Sequence, residues 1–183
     1  MKIISKLNLK IDIDSARHYY SKLEKNFQHL MWTASAGSTN LKGWSIHGIK
    51  YKSGLYPFME EGNEPVGLEN YFETELVFGW AKEILELFPY GYRAAIGESP
   101  VGTVIPPHTD PTGPYMLRLQ IPVYTNKDCI WTTADGDQHL EEGNAYIVDT
   151  SKTHSTRNFG TTARVHFAMC LPKTHLEDIK QYF

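Results

Sequence analysis

Apolar and polar positions divide the chain into two textures. At the start, Ile3-Ile4-Ser5-Lys6-Leu7-Asn8-Leu9-Lys10-Ile11 partly alternates, which predicts a strand. Asp14 or Ser15 then offers an N-cap for a helix in which Tyr19, Leu23 and Phe27 recur every four residues. Residues 44–51 return to a β-like pattern, and residues 53–67, rich in Gly and Pro, predict a loop. From about Glu69 to Phe88 the stripe Phe72, Leu76, Trp80, Ile84, Leu85 and Phe88 predicts a helix, ended by Pro89 and Gly91. After Tyr92, short alternating segments are punctuated by Gly, Pro, Asn and Asp. They predict strands at 92–97, 103–110, 115–124, 129–133, 138–141, 145–149, 153–157 and 163–171, then a short helix over about 175–182. Helices followed by about eight short strands predict a mainly β fold, a jelly-roll barrel with helices packed on one outer face.

The length of 183 residues favours a single domain, with a helix-containing part at 1–90, a jelly-roll core at 91–172 and a terminal helix at 173–183. Eighteen Lys+Arg against twenty-one Asp+Glu gives no nucleic-acid footprint. The N-terminus mixes charge with apolar residues, unlike a signal peptide, and no apolar run approaches the ~20 residues of a membrane span. Cys129 and Cys170, each inside an apolar run, read as buried thiols in a reducing compartment. A soluble, cytoplasmic protein is expected.

Strand alternation makes three segments chemically informative. In Met116-Leu117-Arg118-Leu119-Gln120-Ile121-Pro122 the aliphatic positions share one face, so Arg118 and Gln120 share the other. That second face is either solvent or a barrel interior, and an interior arginine needs an anion. In Pro107-His108-Thr109-Asp110-Pro111, His108 and Asp110 point the same way and offer two metal ligands. Two histidines and one carboxylate form the facial arrangement of non-haem Fe(II) oxygenases, and His154 is the candidate third ligand. Asn158-Phe159-Gly160 is a candidate hairpin tip, and a hairpin symmetric about Phe159 places His154 opposite Arg164. A metal that chelates a keto acid, with an arginine to take its distal carboxylate, suits 2-oxoglutarate. His166 shares the Arg164 face, either to touch substrate or as a hydrogen-bonded core histidine.

These segments, with Leu117 to Asn126, Gly143 to Asn158 and Arg164-Val165-His166, resemble the aspartyl/asparaginyl β-hydroxylase family over about residues 95–171. The resemblance implies a double-stranded β-helix, a cupin-like jelly-roll variant. It also implies an Fe(II)- and 2-oxoglutarate-dependent dioxygenase that uses O2, releases succinate and CO2, and hydroxylates an aliphatic carbon. Carried over by position, His108, Asp110 and His154 bind iron, Arg164 holds the C5 carboxylate of 2-oxoglutarate, and Arg118 lies near its C1 carboxylate or the substrate. Gln120 departs from the histidine of many members. Gln120, His166, Trp131 and Tyr146 are candidate substrate-pocket residues, Trp131 and Tyr146 having plain barrel core as the alternative. The expected partner is an amino-acid, peptide or protein substrate, with a free amino acid such as proline as the alternative. Two other readings use the same residues: a zinc hydrolase or isomerase in a cupin-like barrel, and a non-catalytic jelly-roll module.

Overall fold

In the computed structural model, residues 2–36, 39–51, 54–56 and 65–183 are described. The chain opens with β1 (Ile4–Lys10), α1 (Ile13–Asn26), β2 (Met31–Ala36), β3 (Thr39–Ser45), β4 (His47–Tyr51), β5 (Gly54–Tyr56), β6 (Tyr71–Glu73) and α2 (Gly79–Leu87). The strand-rich remainder is β7 (Tyr92–Ser99), β8 (Val104–His108), β9 (Met116–Tyr124), β10 (Cys129–Thr133), β11 (Gly136–His139), β12 (Asn144–Val148), β13 (His154–Asn158) and β14 (Arg164–Pro172), followed by α3 (Leu176–Lys180). A seven-stranded sheet, β1-β12-β9-β14-β7-β3-β2, accompanies a four-stranded sheet, β11-β10-β13-β8. Every paired strand is antiparallel. This is the double-stranded β-helix, mainly β with flanking helices. A third sheet, β5-β4-β6, stands beside it.

Alternation along the central strands separates the two faces of the large sheet. Leu117, Leu119, Ile121 and Val123 of β9 and Phe167, Met169 and Leu171 of β14 join Ala16, Tyr19 and Leu23 of α1 and Trp80 and Ile84 of α2 in one buried cluster. The helices therefore cover the outer face, as their apolar stripes require. Asp12, rather than Asp14 or Ser15, caps α1: its Oδ1 accepts from Ser15 N at 3.0 Å. No helix among the described residues is long and apolar enough to cross a membrane.

Several N-terminal expectations need correction. The helix expected from Glu69 is confined to Gly79–Leu87, because Tyr71–Glu73 pairs with β4 as a strand. Thr74 closes that strand by donating through Oγ1 to the carbonyls of Ser45 and Ile46. Gly79 then enters the helix at φ 51°, a conformation glycine adopts without strain. The β-like stretch 44–51 is the end of one strand and the whole of another, with a change of sheet at Ile46. Of the expected loop 53–67, residues 54–56 form β5 and residues 53 and 57–64 lie outside the described residues.

Candidate active site

The last residue of β8 and the first of β13 are direct partners across the ladder, His108 opposite His154. Their rings lie 4.3 Å apart. Beyond His108 the chain leaves the strand but is tied back, since Asp110 N donates to Thr150 O at 2.9 Å. Both imidazoles are oriented by a backbone carbonyl: His108 Nδ1 donates to Pro106 O at 2.8 Å and His154 Nδ1 to Lys152 O at 3.0 Å. Each therefore turns an Nε2 lone pair toward Asp110, at 3.4 Å and 3.8 Å from its Oδ1. Arg118 Nη2 donates to the other carboxylate oxygen at 2.9 Å.

The ligand atoms of His108, Asp110 and His154 all lie within 4.8 Å of one another, and no other group of three such side chains occurs among the described residues. Exposure is graded across the trio: the His154 side chain is 4% exposed, Asp110 16% and His108 39%, so the cluster opens toward solvent beside His108. Burial pushes the Asp110 carboxyl up, but the Arg118 guanidinium and nearby hydrogen bonds outweigh it and hold the group below its ordinary value. Burial, with His108 and Arg118, keeps His154 below the ordinary imidazole value against the pull of Lys152 O and Asp110. An ionised carboxylate and a neutral imidazole are the forms that ligate a divalent metal.

Behind the trio lies a cavity of about 250 Å³, walled by both major sheets. Arg164 enters it from β14 and donates through Nη2 to Ser99 Oγ at 3.1 Å, while its buried Nε has no partner. Burial pushes its guanidinium down to about 10, with Cys129 acting in the opposite sense, so it stays charged at neutral pH, and no carboxylate among the described residues pairs with it. Trp131 lies between this cation and the ligand trio: its ring stacks on His154 at 5.8 Å and Arg164 Cζ sits 5.9 Å from its centroid. Gln120 and His166 are on the same wall, His166 Nδ1 lying 3.1 Å from Gln120 Oε1.

The cavity thus gathers His108, Asp110, His154, Arg118, Arg164, Gln120, His166 and Trp131. Tyr146 is the exception. It packs with Ile4, Leu140 and Val148, its hydroxyl accepts from Glu141 N at 3.0 Å, and it does not line the cavity. The hairpin geometry also differs from expectation. β13 pairs with β10 and β8, whereas β14 pairs with β9 and β7, so His154 and Arg164 reach the cavity from different sheets. Asn158 holds this crossing, its Nδ2 donating to the carbonyls of Ser99, Pro100 and Thr162. Wall residues with no local sequence signal are Trp32, Ser99 and Arg93. Arg93 has φ 55°, alone among described non-glycine residues in taking a positive value. Trp32 lies over Gly43, where any Cβ would overlap the indole, so the absence of a side chain there is the one hint of its seat.

Residues 82–173, half of the chain, match the family described as Aspartyl/Asparaginyl beta-hydroxylase. No curated protein matches the chain by sequence. Among solved structures, the fold is similar to an oxidoreductase of the 2OG-Fe(II) oxygenase family from Burkholderia pseudomallei (TM-score 0.55, 11% identity, 91% of this chain and 95% of that one). It is similar also to a Pseudomonas putida prolyl-4-hydroxylase (TM-score 0.58, 10% identity, 92% and 91%). A third likeness is a viral collagen prolyl hydroxylase from Paramecium Bursaria Chlorella virus-1 (TM-score 0.52, 9% identity, 92% and 95%). At these identities the structural likenesses speak for the fold, while the family match spans the strands that carry the ligand trio and both flanking arginines. On that match the chain belongs to the aspartyl/asparaginyl β-hydroxylase family and is a 2-oxoglutarate-dependent oxygenase of the hydroxylase type.

Proposed function

We propose that this protein is an Fe(II)- and 2-oxoglutarate-dependent dioxygenase that hydroxylates an aliphatic carbon of an amino-acid residue. One observation carries the reading: a half-buried arginine with its Nε sequestered, paired with no acid among the described residues, shares a cavity with two Nε2 lone pairs and one ionised carboxylate. A partly desolvated cation without an anion is costly, so its presence points to an anionic ligand. A zinc hydrolase or a non-catalytic module leaves Arg164 without a purpose.

The residues fit the group. His108, Asp110 and His154 would hold iron on one face, leaving the remaining positions open. When bound, iron with O2 and 2-oxoglutarate supplies the oxidising chemistry that yields succinate and CO2 and hydroxylates an unactivated C–H bond. The protein's own part is positioning and exclusion of water. Pro106 and Lys152 carbonyls fix the histidine tautomers, and Arg118 pins Asp110 Oδ2 so that Oδ1 faces the imidazoles. Arg164 anchors the far carboxylate of the co-substrate, and Trp131 walls the path between.

Family membership supports an aspartyl or asparaginyl side chain as the substrate, and a free amino acid such as proline is the alternative. A screen of amino acids and peptides for a mass gain of one oxygen distinguishes them. For the site, anaerobic Fe(II) plus 2-oxoglutarate should give a weak visible metal-to-ligand charge-transfer band. His154→Ala should abolish it, and Arg164→Met should remove it at co-substrate levels that saturate the native protein. A band that persists in both variants overturns the assignment.

A further inference from the structure

Buried side-chain polar atoms without a partner gather on one cavity: they include Trp32 Nε1, Trp131 Nε1, Arg164 Nε and His166 Nε2. A native protein leaves few such groups, and their convergence marks a place for a ligand. The first three are N–H donors, as an anion site requires. His166 has the opposite polarity. Its Nδ1 faces the Gln120 carbonyl oxygen at 3.1 Å and so carries the proton, leaving Nε2 a bare lone pair. Burial, with Arg164 and His139, pushes the imidazole well below its ordinary value, so the ring has one proton to place.

The sheet register says what passes this lone pair. Ala168 is opposite Gln120 and Cys170 opposite Arg118, so the His166–Gln120 pair stands between Arg164 and the Arg118–Asp110 contact. A dicarboxylate that runs from the ligand trio to Arg164 crosses it. Its polar atoms are all oxygen acceptors, and the far carboxylate, held by Arg164 on the same face of β14 two residues from His166, would be repelled by a bare Nε2. An amide at position 120 can resolve the conflict, because its two ends have opposite polarity and nearly the same shape.

We propose that His166 and Gln120 invert together when the dicarboxylate binds, a step that rests on Arg164 being the anchor of 2-oxoglutarate. Gln120 rotates its amide so that the NH2 group donates to Nδ1. The ring releases its Nδ1 proton to water and takes one up at Nε2, with no change in charge. Nε2–H then donates to the carboxylate beside Arg164. Gln120 is thereby a positioning residue, acting on the ligand through the histidine tautomer.

Nitrogen NMR of 15N-histidine-labelled protein, loaded with Zn(II) in place of Fe(II), reads the tautomer directly. Without 2-oxoglutarate, His166 Nδ1 should resonate as a protonated ring nitrogen and Nε2 as an unprotonated one. Saturating 2-oxoglutarate should exchange the two. In parallel, the Kd for 2-oxoglutarate, measured by the anaerobic Fe(II) absorption band, should rise about tenfold in His166→Leu. It should stay within about threefold of native in His166→Gln, whose amide restores a donor near Nε2. Native binding of 2-oxoglutarate with Nδ1 still protonated overturns the inversion and leaves the proposed function standing, as does weak binding in His166→Gln equal to that in His166→Leu. Failure of the native protein to bind 2-oxoglutarate at all overturns both.

Discussion

The two faces of the seven-stranded sheet are made from the same strands and do opposite work. Outward, β9 and β14 present Leu117, Leu119, Ile121, Phe167, Met169 and Leu171 to the helices. Inward, the residues between them are Arg118, Gln120, Arg164, His166 and Ala168. One ladder of hydrogen bonds fixes both sets. The outer face gains free energy from burial, while the inner face holds charges and unpaired polar atoms that folding alone does not favour. Ala95, Gly97 and Ala168 keep the inner surface low, and the space above them is the cavity. Stability and chemistry are thus separated by a single residue step, and each face can be perturbed without touching the other.

The largest effect should come from the outer face. Phe167 is fully buried and meets Trp80 edge-on at a centroid distance of 5.4 Å. Phe167→Ala should cost about 3–5 kcal/mol in urea denaturation, the usual range for emptying an aromatic site in a packed core. The folded fraction should keep the 2-oxoglutarate-dependent visible band. A loss under about 1 kcal/mol would mean that the helices are not seated as described.

Next in size is a pH effect from the three-stranded sheet beside the seven-stranded one. His47 of β4 is buried, accepts from Ala94 N through Nδ1 at 3.2 Å, and has its imidazole pushed down to about 4 by burial. The unfolded chain therefore takes up this proton first as pH falls. Stability present above the unfolded value near 6.5 is lost progressively between there and about 4, and is constant below. The gap corresponds to about 3 kcal/mol. His166, held neutral by burial, contributes with the same sign. His47→Asn retains an acceptor for Ala94 N and removes the titration, so its denaturation midpoint should fall less than that of native protein between pH 7 and pH 5. Parallel curves for the two proteins would exclude His47 as a source of the slope.

The sequence was most legible where one face of a strand is buried and turns punctuate the ends. The segment 129–133 coincides with β10, and 163–171 lies within a residue of β14 at each end. It was least legible where a long-range partner overrode a local pattern. Phe72 extends the helical stripe of α2 by spacing, yet the edge of β4 takes it into a strand. Phe159 looks like a hairpin tip, but β14 has two partners already, β9 and β7, and so β13 leaves for the other sheet. His108 and Asp110 announced themselves by their two-residue spacing. Trp32 and Ser99 did not, because a residue that reaches a cavity from a distant strand carries no mark in its own neighbours.

The smallest effect is the most discriminating, because its sign should reverse with ligand. Arg164 is half-buried, and its contacts among the described residues are one neutral acceptor, Ser99 Oγ, at 3.1 Å, and an indole 5.9 Å from Cζ. These contacts do not offset the desolvation of a full charge. Arg164→Met replaces the stem with a flexible apolar chain of similar reach. Ligand-free protein should gain about 1 kcal/mol in denaturation, since removal of an unpaired, partly desolvated charge relieves the folded state. Addition of 2-oxoglutarate with Zn(II) should stabilise native protein by about 2.7 kcal/mol at a hundredfold excess over Kd, and leave the variant unmoved. The order of stabilities should then invert, with native protein above the variant. If Arg164→Met is instead destabilised without ligand and equally stabilised by it, Arg164 belongs with the outer-face residues as structure, and the contrast between the two faces fails at the position proposed to anchor the co-substrate.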